Sequence, residues 1–195
     1  MTMANKVTKT IVVVGGVAGG ASAATRARRC DESAHIVLFE KDEHISFANC
    51  GLPYYIGGEI KDRAKLLITT PEQVAQRFGI EVHTQREVMG IDRARKVVTV
   101  LNRETGETTE QAYDKLILAP GASPIVPPGP RAGNVFTLRN LHDTDMLKSA
   151  LDALAAREGD EPRRAVVVGA GFIGLEMVEQ LHHKGFEVQL VEKAG

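Results

Sequence analysis

The stretch SFANCGLPYYIGG, Ser46 to Gly58, frames one of only two cysteines in a chain of 195 residues. A sulfur kept for packing needs no such frame. Asn49 before it and a Gly-Leu-Pro turn after it describe a thiol at the opening of a short helix. The positive end of a helix favours the thiolate, which is the reactive form of the side chain. A thiolate so placed attacks disulfide sulfur, or cycles through a sulfenic acid. Cys30, in ARRCDES, ends a helical pattern with no turn around it and reads as a packing residue. No Cys30–Cys50 bridge is expected. Two cysteines make no disulfide framework, so a reducing cytosol is the default compartment.

The second chemical signature is glycine. IVVVGGVAGGASAATRARR and AVVVGAGFIGLEMVEQLHHKG each read as strand, tight turn and helix, with Gly15 and Gly169 standing 154 residues apart. After each helix comes a strand that ends in an acid, Glu40 in HIVLFEK and Glu192 in EVQLVEK. Glycines let the backbone approach a pyrophosphate, which the positive end of the helix attracts. The acid accepts hydrogen bonds from an adenosine ribose. Gly169, Gly171 and Gly174 complete the second fingerprint, with Phe172 and Ile173 in the same turn. In the first, Gly15 and Gly20 hold the outer positions, but Val17 stands at the middle one. Gly16, Ala18 and Gly19 surround it, and Gly16 and Gly19 are expected to give the backbone its freedom. Glu192 favours a free 2′-hydroxyl and hence NADH, while Lys193 beside it leaves NADPH open.

These groups need elements to hold them. Between the two fingerprints, alternation in residues 80–102 and 107–124 predicts a small antiparallel sheet, with turns around Gly106. YDKLILAPGA gives a buried strand ending near Gly121. Pro124, Pro127, Pro128 and Pro130 then form a stiff crossing. DTDMLKSALDALAAR predicts a helix capped by Asp143 or Thr144, with Leu147, Leu151 and Leu154 on one face. The opening, Lys6 and Lys9 before TIVVVGGVAGGASAA, imitates a signal peptide. Arg26, Arg28 and Arg29 continue it as a helix, however, and HIVLFE follows as a strand, so a buried strand, turn and helix is the better reading. No apolar stretch is long enough to span a bilayer. With 24 basic and 25 acidic residues and no long basic run, nucleic acid is not an expected partner. His182 and His183 are neighbours on a helix, point apart and make no metal pair; no metal site is expected. Arg93, Arg95 and Lys96 read as a solvated strand turn, and Glu179 as solvated or paired. The fold class is α/β: a Rossmann-like domain with a small antiparallel insertion over residues 1–121, then the start of a second Rossmann-like domain over 122–195.

Two nucleotide folds, the YDKLILAPGA connection and a lone cysteine after the first acid resemble the flavin-dependent pyridine nucleotide–disulfide oxidoreductases. SFANCGLPYYIGG is similar to their single-cysteine branch, most of all to the coenzyme A disulfide and persulfide reductases. Leu52, Pro53, Tyr54 and Tyr55 stand where the two-cysteine branch carries its second cysteine. The resemblance implies FAD on the first fold, at Gly15, Gly16, Val17, Ala18, Gly19, Gly20, Glu40 and Lys41. It places Val88 at the adenine, and Ala119 and Gly121 beside the flavin. It implies NADH or NADPH on the second fold, at Gly169, Gly171, Phe172, Ile173, Gly174 and Glu192. Glu176 is a candidate for the nicotinamide side. It maps coenzyme A contacts onto Arg26, Arg29, Ser46 and Asn49, and makes Cys50 the redox centre.

The implied activity passes electrons from NAD(P)H through flavin and Cys50 to CoA disulfide or to a CoA or small-molecule persulfide or polysulfide. An NADH oxidase or peroxidase using a Cys50 sulfenic acid is an alternative, as is a non-catalytic nucleotide-binding fragment. The family's fold continues beyond the second acid, so the chain is expected to be the N-terminal part of a longer cytoplasmic enzyme, with little turnover alone. The full-length protein is expected to be a homodimer without membrane or nucleic-acid partners.

Overall fold

A computed structural model describes residues 8–126, 128, 133–156 and 162–193. The chain divides into two compact units, Met1–Phe47 with Leu67–Ala122, and Ala48–Leu66 with Ser123–Gly195. Lys6, Pro127 and Pro130 lie outside the described residues.

The first unit opens with β1 (Thr10–Val14), α1 (Ala18–Cys30) and β2 (His35–Phe39). Both strands are runs of β-branched and large apolar residues, the pattern of a parallel sheet covered on both faces. β1 and β2 pair in parallel, with Val12 opposite Val37, and β7 (Lys115–Leu118) lies on the other side of β1. A short β3 (Glu81–His83) closes the far edge, giving the order β3-β2-β1-β7. Successive side chains face opposite ways. Val13, Ile36 and Leu38 therefore join Ala24, Ile45, Val74 and Ile80 in one core, while Val12, Val37 and Phe39 join Val98 and Val100 in another. Val98 and Val100 belong to the antiparallel sheet of β4 (Arg86–Asp92), β5 (Val97–Asn102) and β6 (Thr108–Ala112), where the sequence places it. α3 (Pro71–Phe78) starts on Thr70, whose hydroxyl accepts the Gln73 amide while the Gln73 side chain returns to the Thr70 amide.

Cys30 does not pack inside as expected; it is exposed. The buried positions of α1 are Gly20 and Ala24, with Ala27 packed against the same core. Beyond them the Arg28 guanidinium closes the corner by donating to the carbonyls of Phe78, Gly79, Glu32 and Ala34.

In the second unit a 3₁₀ turn, Asn49–Gly51, runs straight into α2 (Leu52–Gly57), so Cys50 does open a helix. α4 (Leu141–Ala155), β8 (Arg164–Val168), α5 (Phe172–His183) and β9 (Glu187–Val191) follow, with β8 and β9 parallel. Leu147, Leu151 and Leu154 share a face of α4, which packs with Ile56, Met177, Leu181 and Phe186. α4 starts earlier than expected. Asn140 is its cap, accepting the Asp143 amide at 2.9 Å. The Asp143 carboxylate instead takes the Thr137 hydroxyl and the Arg139 amide, and buried Thr144 donates its hydroxyl to the Asn140 carbonyl. Arg63 grips Asp145 with two nitrogens, tying the Cys50 segment to α4. No described helix is long and apolar enough to cross a membrane.

Candidate nucleotide turns and thiol site

The two glycine turns are built alike, bond for bond. Gly15 and Gly169 take φ of +93° and +104°, where a side chain is strained. Their amides donate to the carbonyls of Phe39 and Val191, each at 2.8 Å. The next amide donates to the acid at the end of the second strand, Gly16 to Glu40 at 2.6 Å and Ala170 to Glu192 at 2.6 Å. The other carboxylate oxygen takes a second amide, Asp42 for Glu40 and Lys193 for Glu192. A Cβ on Gly20 would lie 1.7 Å from the Gly15 carbonyl oxygen, and one on Gly174 would lie 2.0 Å from that of Gly169. Val17, where the middle glycine is missing, stands at φ −83° and ψ −125° as the residue before α1, with no side-chain capping bond.

Neither α1 nor α5 has a side-chain cap, whereas α3 and α4 are both capped by side chains. The first-turn amides of a helix have no partner within it. In α1 and α5 no side-chain cap takes them, and each helix follows a glycine-rich turn, the arrangement that receives a phosphate. The surroundings differ. The first turn is walled by Ala119, whose carbonyl a Cβ on Gly15 would meet at 2.1 Å, and whose amide donates to the Val14 carbonyl. Gly121 follows with φ +70°. A Cβ on Gly169 or Gly171 would meet nothing within 4 Å, and Phe172 and Ile173 beside them are exposed. Ala18, Gly19 and Lys41 are exposed as well, and Val88 stands in β4 opposite Val100. The residues present fit two dinucleotides on this observation.

The four residues mapped to a substrate do not share one unit. Ser46, in the first, is one of three non-glycine residues with positive φ among the described residues, at +47°. Two backbone bonds hold it there: its amide donates to the Gly16 carbonyl at 3.1 Å, and its carbonyl accepts the Ile68 amide at 3.0 Å. It lines a cavity of about 560 Å³ with Ser22, Thr25, Thr69, Gln73 and Arg77. Arg26 and Arg29 are exposed on α1, and Ser22, Arg26 and Arg29 follow the helical spacing of one face. Ser22 and Arg77 were not candidates in the sequence; the four-residue step from Ser22 to Arg26 is the signal that marks Ser22, and nothing local marks Arg77.

Asn49 and Cys50 lie in the second unit. Cys50 is exposed, and Asn49 beside it carries a buried Oδ1 with no hydrogen-bond partner among the described residues. Tyr54, one helical turn after Cys50, has its phenol pushed above its ordinary titration range. The Glu176 carboxylate is the main cause, followed by burial, Glu179, Glu59 and Cys50. Tyr54 therefore brings the charge environment of Glu176, from the second glycine helix, to the helix that Cys50 opens. His182, His183 and Glu179 are exposed, and the described residues hold no group of three or more His, Cys, Asp or Glu able to bind a metal.

Residues 9–195 match the family described as pyridine nucleotide-disulphide oxidoreductase. A coenzyme A disulfide reductase of Staphylococcus epidermidis is 46% identical over 184 residues, covering 94% of this chain and 40% of the relative. Among solved structures, reduced CoADR-RHD of Bacillus anthracis is 51% identical with a TM-score of 0.88, over 96% of this chain and 33% of that one. An NAD-dependent persulfide reductase from A. fulgidus is 34% identical with a TM-score of 0.82, over 93% of this chain and 33% of that one. The chain thus spans 40% of the length of the curated relative it matches.

Proposed function

Since this chain belongs to the pyridine nucleotide-disulphide oxidoreductase family, we propose that it carries the FAD turn, the NAD(P)H turn and the reacting cysteine of an enzyme that reduces CoA disulfide or a CoA-type persulfide. The reading assigns residues 1–121 to FAD and 122–195 to NAD(P)H, and takes the whole protein to be a cytoplasmic homodimer. Its main support is the pair of helix starts with glycine-rich turns and no side-chain cap, each with its own buttressing glutamate. Bound FAD supplies the two-electron relay between a nicotinamide hydride and sulfur.

The chain's own residues do the rest. The Gly15–Gly20 and Gly169–Gly174 turns bind pyrophosphate through backbone amides. Glu40 and Glu192 hold those turns in shape and would accept hydrogen bonds from the ribose hydroxyls. Ala119 and Gly121 would hold the flavin side of FAD and Val88 the adenine. The Cys50 thiolate attacks one sulfur of CoA disulfide; a Cys50–CoA disulfide forms, the substrate S–S bond breaks, and one CoA thiolate leaves to take up a proton. Two-electron reduction of the mixed disulfide returns the Cys50 thiolate and a second CoA thiolate. With a CoA persulfide the Cys50 thiolate attacks the CoA-bound sulfur, the S–S bond breaks and hydrosulfide leaves in place of the first CoA thiolate; two-electron reduction of the Cys50–CoA disulfide then returns the Cys50 thiolate and the one CoA thiolate.

Arg26, Arg29 and Ser46, with Ser22 and Arg77, supply cationic and hydroxyl partners for the phosphates and pantetheine of CoA, and guanidinium matches phosphate oxygens two at a time. Asn49, with its spare buried acceptor, meets the substrate amides at the sulfur end.

The test is discrimination between disulfides. Arg29→Ala should slow exchange of Cys50 with CoA disulfide by about tenfold, the loss of a charge-assisted phosphate contact of roughly 1.5 kcal/mol. Its exchange with an uncharged disulfide such as 2-hydroxyethyl disulfide should stay unchanged. Equal slowing of both would count against CoA.

A further inference from the structure

The seam between α2 and α5 contains a buried amide with no part in the nucleotide turns. Gln180 is 1% exposed. Its Nε2 donates to Glu59 Oε1 at 2.7 Å, and its Oε1 is buried with no partner among the described residues. That oxygen lies against the bare Cα of Gly57. A Cβ on Gly57 would come to 1.7 Å from Gln180 Oε1, 2.7 Å from Cδ and 3.0 Å from Cβ. Gly57 has no positive φ, so the backbone does not ask for glycine there; Gly58, at φ +95°, is the residue that ends the helix. Glycine inside a helix is less favourable than alanine, and burying a half-satisfied amide is unfavourable too. A leucine facing an alanine would be the ordinary solution for two packed helices. Both unfavourable choices meet at one contact, and the seam beside it is apolar, with Ile56 against Met177 and Leu181. An apolar seam alone lets helices slide; a single buried polar group fixes register.

We infer that Gln180 is a positioning residue: held by Glu59 on one amide atom and seated on Gly57 with the other, it sets where α2, and therefore Cys50, stands along α5. α5 begins at the second glycine turn, so one side chain locks the spacing between the reacting sulfur and the nicotinamide-binding helix. The second glycine of YYIGG, Gly58, is a helix stop, and the first, Gly57, is the seat of this contact. Tyr54, on α2 between Cys50 and Gly57, takes its main electrostatic influence from Glu176 of α5, which fits a fixed register.

This inference rests on Cys50 as the reacting sulfur, and its test is separate from that reading. Nitroxides are placed on Cys50 and on His183→Cys in a Cys30→Ser background, and their separation is measured by pulsed electron resonance. Gly57→Ala should move the distance by about 2 Å, the shift that turns a 1.7 Å separation into an ordinary contact. Adding Gln180→Ala should bring it back. An unmoved distance in folded Gly57→Ala would overturn the inference, because Gln180 would then be yielding to α2 rather than placing it. Should Gly57→Ala not fold, Gln180→Ala alone decides: a broadened distance distribution supports positioning. An unchanged one, or loss of folding there too, reduces Gln180 to a packing residue. A Cys50 that forms no mixed disulfide with CoA would sink the functional reading and leave this result standing.

Discussion

At Glu40 two backbone amides, those of Gly16 and Asp42, converge on one carboxylate that is 5% exposed. Charge-assisted bonds of this kind are worth about 1.5–3 kcal/mol each, so Glu40→Gln should lower the free energy of unfolding by about 2 kcal/mol in a urea titration. It should also weaken FAD retention, read as flavin absorbance after gel filtration. Gly20→Ala should fail more abruptly, since its methyl would enter the Gly15 carbonyl oxygen at 1.7 Å; overpacking of this kind costs about 1–3 kcal/mol. The glycines and both acids were legible in the sequence, because their spacing is set by a turn that tolerates few alternatives. Val17 was legible as a gap in the pattern; it has no positive φ, whereas Gly15 at the start of the same turn does. The left-handed backbone of Ser46 and the burial of Gln180 left no local signal, since both follow from what other elements bring beside them.

The elements follow the same division. β1 and β2 announced themselves as continuous apolar runs because both faces of the sheet are covered. The start of α4 did not, because Asp143 and Thr144 are also good caps and only the chain path through Thr137 and Arg139 gives the role to Asn140. Asn140→Ala should cost about 1 kcal/mol in unfolding free energy, whereas removing the expected cap hydroxyl at Thr144 should act through burial instead. The edge strand β3 carries a pH signature. Glu81 accepts from His35 at 2.8 Å and from His83 at 2.6 Å, and the His35 bond foremost holds its carboxyl below the ordinary 4.5. A carboxyl lowered in the folded state stabilises above its unfolded value, and that contribution fades as pH falls through the lowered one. Thermal melts between pH 7 and pH 3 should therefore lose a component in wild type that is already missing in Glu81→Gln. Parallel curves for the two proteins would contradict this.

For the molecule as a whole, the central claim is that Cys50 exchanges with CoA disulfide while two dinucleotide turns stand ready on either side of it in sequence. Exposure alone does not single it out, since Cys30 is exposed as well, and a contest between the two sulfurs is the direct test. The chain is incubated with CoA disulfide without reductant, and the denatured protein is weighed intact and then mapped by peptide. One CoA is expected through a disulfide at Cys50, lost on reduction, absent in Cys50→Ser and retained in Cys30→Ser. CoA on Cys30 instead, or on both cysteines at equal rates, would contradict it.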